Sequence, residues 1–155
     1  MDLATASMNY ASTQLGIHEE PKGSNSGPEV DAYLAYVGLK PGAAWCAAFV
    51  SYCINQASIN NQIDTTFKKS ASALHLATNN PTLVMDRYRD PIANCIGIID
   101  EGGGKGHTFF IPFVDNQNNA HTIEGNTDHL GSREGWEVAA RVRDIDSITY
   151  FLRIN

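Results

Sequence analysis

Positive charge is scarce in this chain: 11 Lys and Arg stand against 17 Asp and Glu, a formal net charge of −6 at pH 7. That balance excludes the basic footprint needed to hold nucleic acid or an anionic lipid surface. Long apolar runs are missing as well. None approaches the roughly 20 residues that cross a bilayer as a helix, so no membrane span is expected. The opening residues MDLATASMNYASTQLG have neither the basic n-region nor the apolar h-region of a secretory signal, and synthesis in the cytoplasm is expected. Cysteine is limited to three residues, which cannot all pair within one chain. Cys46 and Cys53 lie two turns apart on what reads as one helix, about 10 Å by helix rise, too far for a disulfide. No CxxC or CxH spacing suggests zinc. Reduced thiols and no metal are expected.

What is present describes an ordinary folded domain. With 155 residues, 43% hydrophobic and 18% charged, the chain is long enough to close a core without disulfides, and a single domain over 1–155 is expected. No repeat, linker or low-complexity tail divides it.

The first half reads as helices. Met8, Ala11 and Leu15 share a helical face over 2–15 and Gly16 ends it. Pro28 opens a second helix with Val30, Tyr33, Leu34 and Val37 on one side. A third starts near Ala44 and carries Cys46, Phe49, Val50 and Cys53 at i, i+3, i+4, i+7. A fourth is expected over about 65–78, capped by Asp64 and closed before Pro81. Beyond Pro81 the texture changes to short β-branched and aromatic segments, TLVMDRY, NCIGIID, HTFFIPFV, HTIEGNT, WEVAARVR and SITYFLRI, separated by Gly- or Asn-containing turns. Helices first and an antiparallel sheet second imply an α+β fold, the helices packed on the sheet.

Cys46 is the residue on which function turns. A free cysteine is most often a buried small hydrophobe, and Cys53 and Cys95 read that way. Cys46 stands in the first turn of its helix, beside unpaired N–H groups and the positive end of the macrodipole. Both favour a thiolate, and the same N–H groups can hold an oxyanion. A nucleophilic thiol needs a base, itself oriented by a third group. Of five histidines, His18 lies in a loop, His75 on a helix, and His129 in TDHLGS without an evident partner. His107 and His121 fall on the two strands of one hairpin. Alternation places Thr122, Glu124 and Asn126 on one face of its second strand and His121 on the other. A two-residue turn at 115–116 sets His107 opposite Glu124; one at 116–117 sets it opposite Asn126 with Glu124 diagonal. An odd-numbered turn would put the groups on opposite faces. Trp45 is a packing residue that could wall a cleft, and Asn25, Glu20 and Trp136 are further cleft candidates. Arg141 and Arg143 alternate with Val142 and are expected to face solvent.

GAAWCAAFVSYC, GHTFFI and TIEGNT together resemble the three signature segments of CHAP domains, the cysteine, histidine-dependent amidohydrolase/peptidase family within the wider NlpC/P60 and papain-like group. The segments LGIHEEPKGSNSGPEVDAYL and VAARVRDIDSITYFLRI are similar to stand-alone members among phage lysins and bacterial wall hydrolases, so the likeness covers nearly the whole chain. It implies a papain-like core, an amidase or endopeptidase acting on peptidoglycan stem peptides or cross-bridges, and no cofactor. It assigns Cys46 as nucleophile, His107 as base, Glu124 as the orienting acceptor and Asn126 as a further polar member. Some members carry an acidic, Gly-containing calcium loop before the cysteine; GSNSGPEVDAYL and LKPGAAW do not match it, and no structural calcium is expected. There is no wall-binding repeat. A phage lysin helped across by other proteins and a delivered antibacterial effector with a cognate immunity protein fit equally well, each acting at the wall as a monomer. The rival functions are a protein-directed cysteine acyltransferase or deamidase toxin, since the triad chemistry is shared, and a non-catalytic wall-binding module.

Overall fold

The structure is a computed structural model and describes residues 1–127 and 135–155. Its elements run α1 (Leu3–Thr13), α2 (Pro28–Tyr36), α3 (Cys46–Asn61), α4 (Ala73–Asn79), then β1 (Cys95–Gly102), β2 (Lys105–Val114), β3 (Asn119–Thr127), β4 (Glu137–Asp144) and β5 (Tyr150–Leu152). Every strand pairing is antiparallel, in the order β4-β3-β2-β1-β5. The expected α+β class and its helices-then-sheet order are what is found.

Local chemistry sets the helix ends. Asp2 caps α1 by accepting the Thr5 N–H at 2.7 Å, and Pro28 occupies the first turn of α2, where its missing N–H costs nothing. The small buried residues Ala6, Ser7 and Ala11 line α1, while Leu15 falls outside the helix and is exposed. In the middle, α3 is buried on most of its circumference and is the helix around which the others pack. The fourth helix is much shorter than the 65–78 expected. It begins only after Ser72, whose hydroxyl accepts the His75 N–H. Thr65, Thr66 and Phe67 are poor helix formers, and the segment, without regular structure, is tied down instead. Thr65 Oγ1 donates to the Asn155 carbonyl, and Asn80 Oδ1 accepts the Lys68 N–H. TLVMDRY is likewise not a ladder strand: a 3-10 turn covers Pro81–Leu83 and Val84 makes a single bridge to Leu152.

The sheet is covered on both faces, which explains why its strands read as apolar runs rather than clean alternation. Ile96, Ile98, Phe110 and Ile123 pack with the helices. Cys95, Phe109, Ile111 and Ala120 pack with Ile148 and Phe151 from the C-terminal segment.

The β2–β3 hairpin departs from both expected turns. Asp115 and Asn119 close a three-residue connection, with the Asp115 N–H donating to the Asn119 carbonyl at 2.9 Å. Val114 then pairs with Ala120 and Phe113 with His121. That odd register, carried along the strands, would turn residues 107 and 124 to opposite faces. A bulge between Phe110 and Phe113 cancels the shift, so that Phe110 pairs with Ile123. Pro112 lies within it. Proline has no N–H for the ladder, and a bulge is where a strand tolerates one.

Candidate active site

Carried back from Phe110 and Ile123, the corrected register sets position 107 opposite 126 and diagonal to 124. His107 is 1% exposed and Glu124 fully buried. Their side chains meet, His107 Nε2 to Glu124 Oε1 at 2.8 Å. The other ring nitrogen, Nδ1, is buried and, among the described residues, has no nitrogen or oxygen partner. The imidazole's second polar neighbour is the Cys46 thiol. Cys46, 6% exposed, is the first residue of α3, with Trp45 at the cap position. The structure therefore brings together Cys46, His107 and Glu124 from α3, β2 and β3.

Electrostatics follow from that contact. Burial alone pushes the Cys46 thiol up. The hydrogen bond and charge of His107, with backbone bonds from Thr108 and Ala47, outweigh it and hold the thiol below its ordinary value. Burial likewise opposes a charged imidazole, yet bonding to Cys46 and Glu124 raises His107 to about 9. The pair is thus set up as thiolate and imidazolium over a window below about pH 9. Among the described residues Cys53 and Cys95 have no such partner. Burial drives Cys53 well up and Cys95 to about 12, as expected of core thiols, and all three cysteines are free.

Glu124 is held on every side. Oε1 accepts from His107 Nε2 and from Arg143 Nη2 at 2.7 Å; Oε2 accepts from Arg143 Nε at 2.6 Å and from Thr122 Oγ1 at 2.6 Å. Burial would raise this carboxyl, but Arg143 and His107 bring it down to about 2. Arg143 was expected in solvent. It pairs across the ladder with Ala120, on the face that also carries Thr122 and Glu124. The short alanine leaves room for the long arginine to lie back along β3, while Val142, between the two arginines, is the exposed residue. A carboxylate buried this deeply calls for a cation, but its burial shows only in the fold and nothing in the sequence singled out Arg143.

Asn126 is buried, with a left-handed φ of 58°, where the β3–β4 register shifts between Glu124 and Thr127. Gly125, between the two polar residues, faces α3. A Cβ there would stand 2.7–2.8 Å from Phe49 and Trp45 side-chain atoms, so glycine is what lets the cysteine-bearing helix close on β3.

The cleft candidates divide. Trp45 is fully enclosed and presents no surface to a substrate; its indole Nε1 donates to Glu19 Oε1 at 3.0 Å. Glu20 is exposed, and its neighbour Glu19 is the inward one, accepting the Gly23 N–H through Oε2 at 2.8 Å as well. Glu19 was not singled out from the sequence; two adjacent glutamates in a loop give no sign of which turns in. Asn25 is half-buried and exchanges backbone bonds with the turn before Cys46: the Gly42 N–H donates to its carbonyl at 2.9 Å, and its Nδ2 donates back to the Gly42 carbonyl. Trp136 is half-buried, stacks obliquely on His18 and lies under the Lys22 ammonium. His121 bonds Asp115 at 2.9 Å and stacks on Phe113; His18 and His75 are exposed. His129 lies outside the described residues. Among the described residues no three His, Cys, Asp or Glu side chains converge as a metal-holding group, and no helix is long and apolar enough to cross a membrane. No family model, curated protein or solved structure matches this chain.

Proposed function

We propose that the protein is a cysteine amidase or endopeptidase of the CHAP type, with a papain-like fold, that cleaves an amide bond in the stem peptide or cross-bridge of peptidoglycan. The observation that supports this reading best is the buried His107, set between a Cys46 thiol held below its ordinary pKa and a Glu124 carboxylate 2.8 Å away.

The chemistry is acyl transfer. Cys46 thiolate attacks the carbonyl carbon, and the N–H groups at the start of α3 face the developing oxyanion. The imidazolium gives its proton to the leaving amine as the C–N bond breaks, leaving an acyl-enzyme. Neutral His107 then takes a proton from water, whose oxygen attacks the thioester, and the thiolate departs. Glu124 accepts from Nε2 throughout and keeps Nδ1 directed to the sulfur, the role of the third member of such triads. No cofactor enters. The enzyme would be made in the cytoplasm and act at the wall after release or delivery, as a lysin or as an effector whose producer holds an immunity protein.

The test is digestion of purified peptidoglycan by wild type and Cys46→Ala, with mass analysis of the soluble products. Fragments from wild type alone are expected, and their masses would identify the bond. Absence of fragments from walls of several chemotypes, with folded protein, would reject the wall substrate. A protein-directed transferase or deamidase, or a binding module, would then take its place.

A further inference from the structure

We propose that Arg143 is a positioning residue for this site, clamping Glu124 so that Cys46, His107, Glu124 and Arg143 work as one chain of four alternating charges. The proposal takes its chemical meaning from the cysteine-nucleophile reading but needs no assumption about the substrate.

The geometry is a fork. Arg143 meets Glu124 through Nε and Nη2 at 2.6 and 2.7 Å, one bond to each oxygen. Such planar, bidentate pairing fixes the plane of a carboxylate as well as its position. Thr122 takes the remaining capacity of Oε2 and His107 that of Oε1. A carboxylate with two bonds on each oxygen cannot rotate, so the direction in which it holds the imidazole is fixed.

The second part of the argument concerns charge. His107 changes charge during the reaction, from imidazolium to neutral as it protonates the leaving group. With His107 as its only cation, Glu124 would then be left a fully buried, uncompensated anion, a state costly enough to favour protonation. Arg143, 17% exposed at its side chain and charged at any working pH, compensates Glu124 in both states. Among the described residues, the charged and titratable groups that act along the chain include Cys46 on α3, Glu101 on β1, His107 on β2, Glu124 on β3 and Arg143 on β4. Glu101 acts on Arg143 through space. The guanidinium also lies 5.1 Å from the Phe109 ring centroid, which keeps its plane against the sheet.

The experiment is alkylation of Cys46 by iodoacetamide across pH, followed by peptide mass so that Cys53 and Cys95 do not contribute. Arg143→Met should react about 10- to 100-fold more slowly at neutral pH, the scale of a misoriented catalytic group. Its acid limb should move to higher pH, because Glu124 then protonates more readily and ceases to support the imidazolium that supports the thiolate. Arg143→Lys, which keeps the charge and loses the fork, should fall between. In Glu124→Gln the further change Arg143→Met should cost nothing more, since the arginine acts through the carboxylate. A folded Arg143→Met with the wild-type rate and profile overturns the proposal, as does a full additive loss in the Glu124→Gln background. Should Arg143→Met fail to fold, Arg143→Lys decides: an unchanged profile refutes the clamp, and a slowed rate with a raised acid limb upholds it. Reactivity that depends on Arg143 in a protein that leaves peptidoglycan intact would reject the wall substrate while sustaining this inference.

Discussion

A cysteine buried to 6% exposure should by burial alone be an inert thiol, as Cys53 and Cys95 are. Cys46 differs because an imidazole stands against it, and because that imidazole is itself held by a carboxylate. Between the lowered thiol pKa and the His107 value of about 9 the site holds a thiolate. Iodoacetamide should therefore modify Cys46 faster than an ordinary thiol at pH 7, the rate falling only on the acid side of that window. His107→Ala removes the groups that oppose burial and should return Cys46 to the behaviour of the core thiols, with at least a tenfold slower reaction at pH 7, one pKa unit being a factor of ten. Equal labelling of all three cysteines in folded wild type would show that the pair is not charged. Glu124→Gln is the less simple variant. It keeps a hydrogen-bonding group on β3 but removes the buried charge that Arg143 meets through two bonds, so its defect should show in stability as well as in rate.

At the scale of elements, the site depends on how closely α3 lies on β3, and Gly125 sets that distance. Gly125→Ala places a methyl 2.7–2.8 Å from Phe49 and Trp45 atoms, and Phe49 is bounded in turn by Tyr33 and Phe110. Neither ring has room to give. Overpacking of this kind costs about 1–3 kcal/mol, and for a chain of this size each kcal/mol lowers Tm by about 2–4 °C. The same displacement moves Cys46 relative to His107, so the thiol's extra reactivity should fall with the Tm. A Gly125→Ala protein matching wild type in both thermal unfolding and Cys46 labelling would mean the two elements are not in contact as described. Much of this scale was legible in the sequence. Apolar spacing marked the first three helices, and turn residues marked the strands from β1 onward. Cys46 at a helix start and His107 with Glu124 on a hairpin marked the site. What could not be read was set by tertiary contacts. The 65–72 segment is held out of the helix by bonds to Asn80, Ser51 and the C-terminal Asn155. The hairpin's face assignment depended on a bulge at Pro112, and Arg143 was turned inward by the alanine opposite it. In the hairpin two departures cancel, an odd turn and a bulge, so His107 and Glu124 meet although neither simple turn is present.

For the whole molecule, these buried groups predict how stability varies with pH. Glu124 is lowered from an ordinary 4.5 to about 2, so its contribution is complete above pH 4.5 and is lost as pH falls toward 2. Asp2 and Asp115 are also lowered, but Asp2 is exposed and Asp115, bonded to His121 and to turn N–H groups, is only partly buried, so solvent screens both charges more than that of Glu124. The acid edge therefore belongs mainly to Glu124. On the alkaline side His107, raised from 6.5 to about 9, contributes stability below pH 6.5 that disappears as pH rises through about 9. Cys46 acts in the opposite sense, its lowered pKa favouring the fold above the ordinary thiol value of 9. The two trade a proton, and neither sets the alkaline edge. That edge falls to the groups buried neutral, Cys53, Cys95 and Tyr33, whose raised values favour the fold at low pH and cease to do so as the unfolded chain ionises from about pH 9 upward. Stability to thermal unfolding should consequently weaken below about pH 4.5 and again above about pH 9. Glu124→Gln, with a lower plateau, should lose the acid slope between pH 4.5 and 2 and keep the alkaline one. If its acid slope matches wild type, the buried carboxylate is not what ties this fold to pH, and the four-charge chain linking α3, β2, β3 and β4 contributes nothing to holding them together.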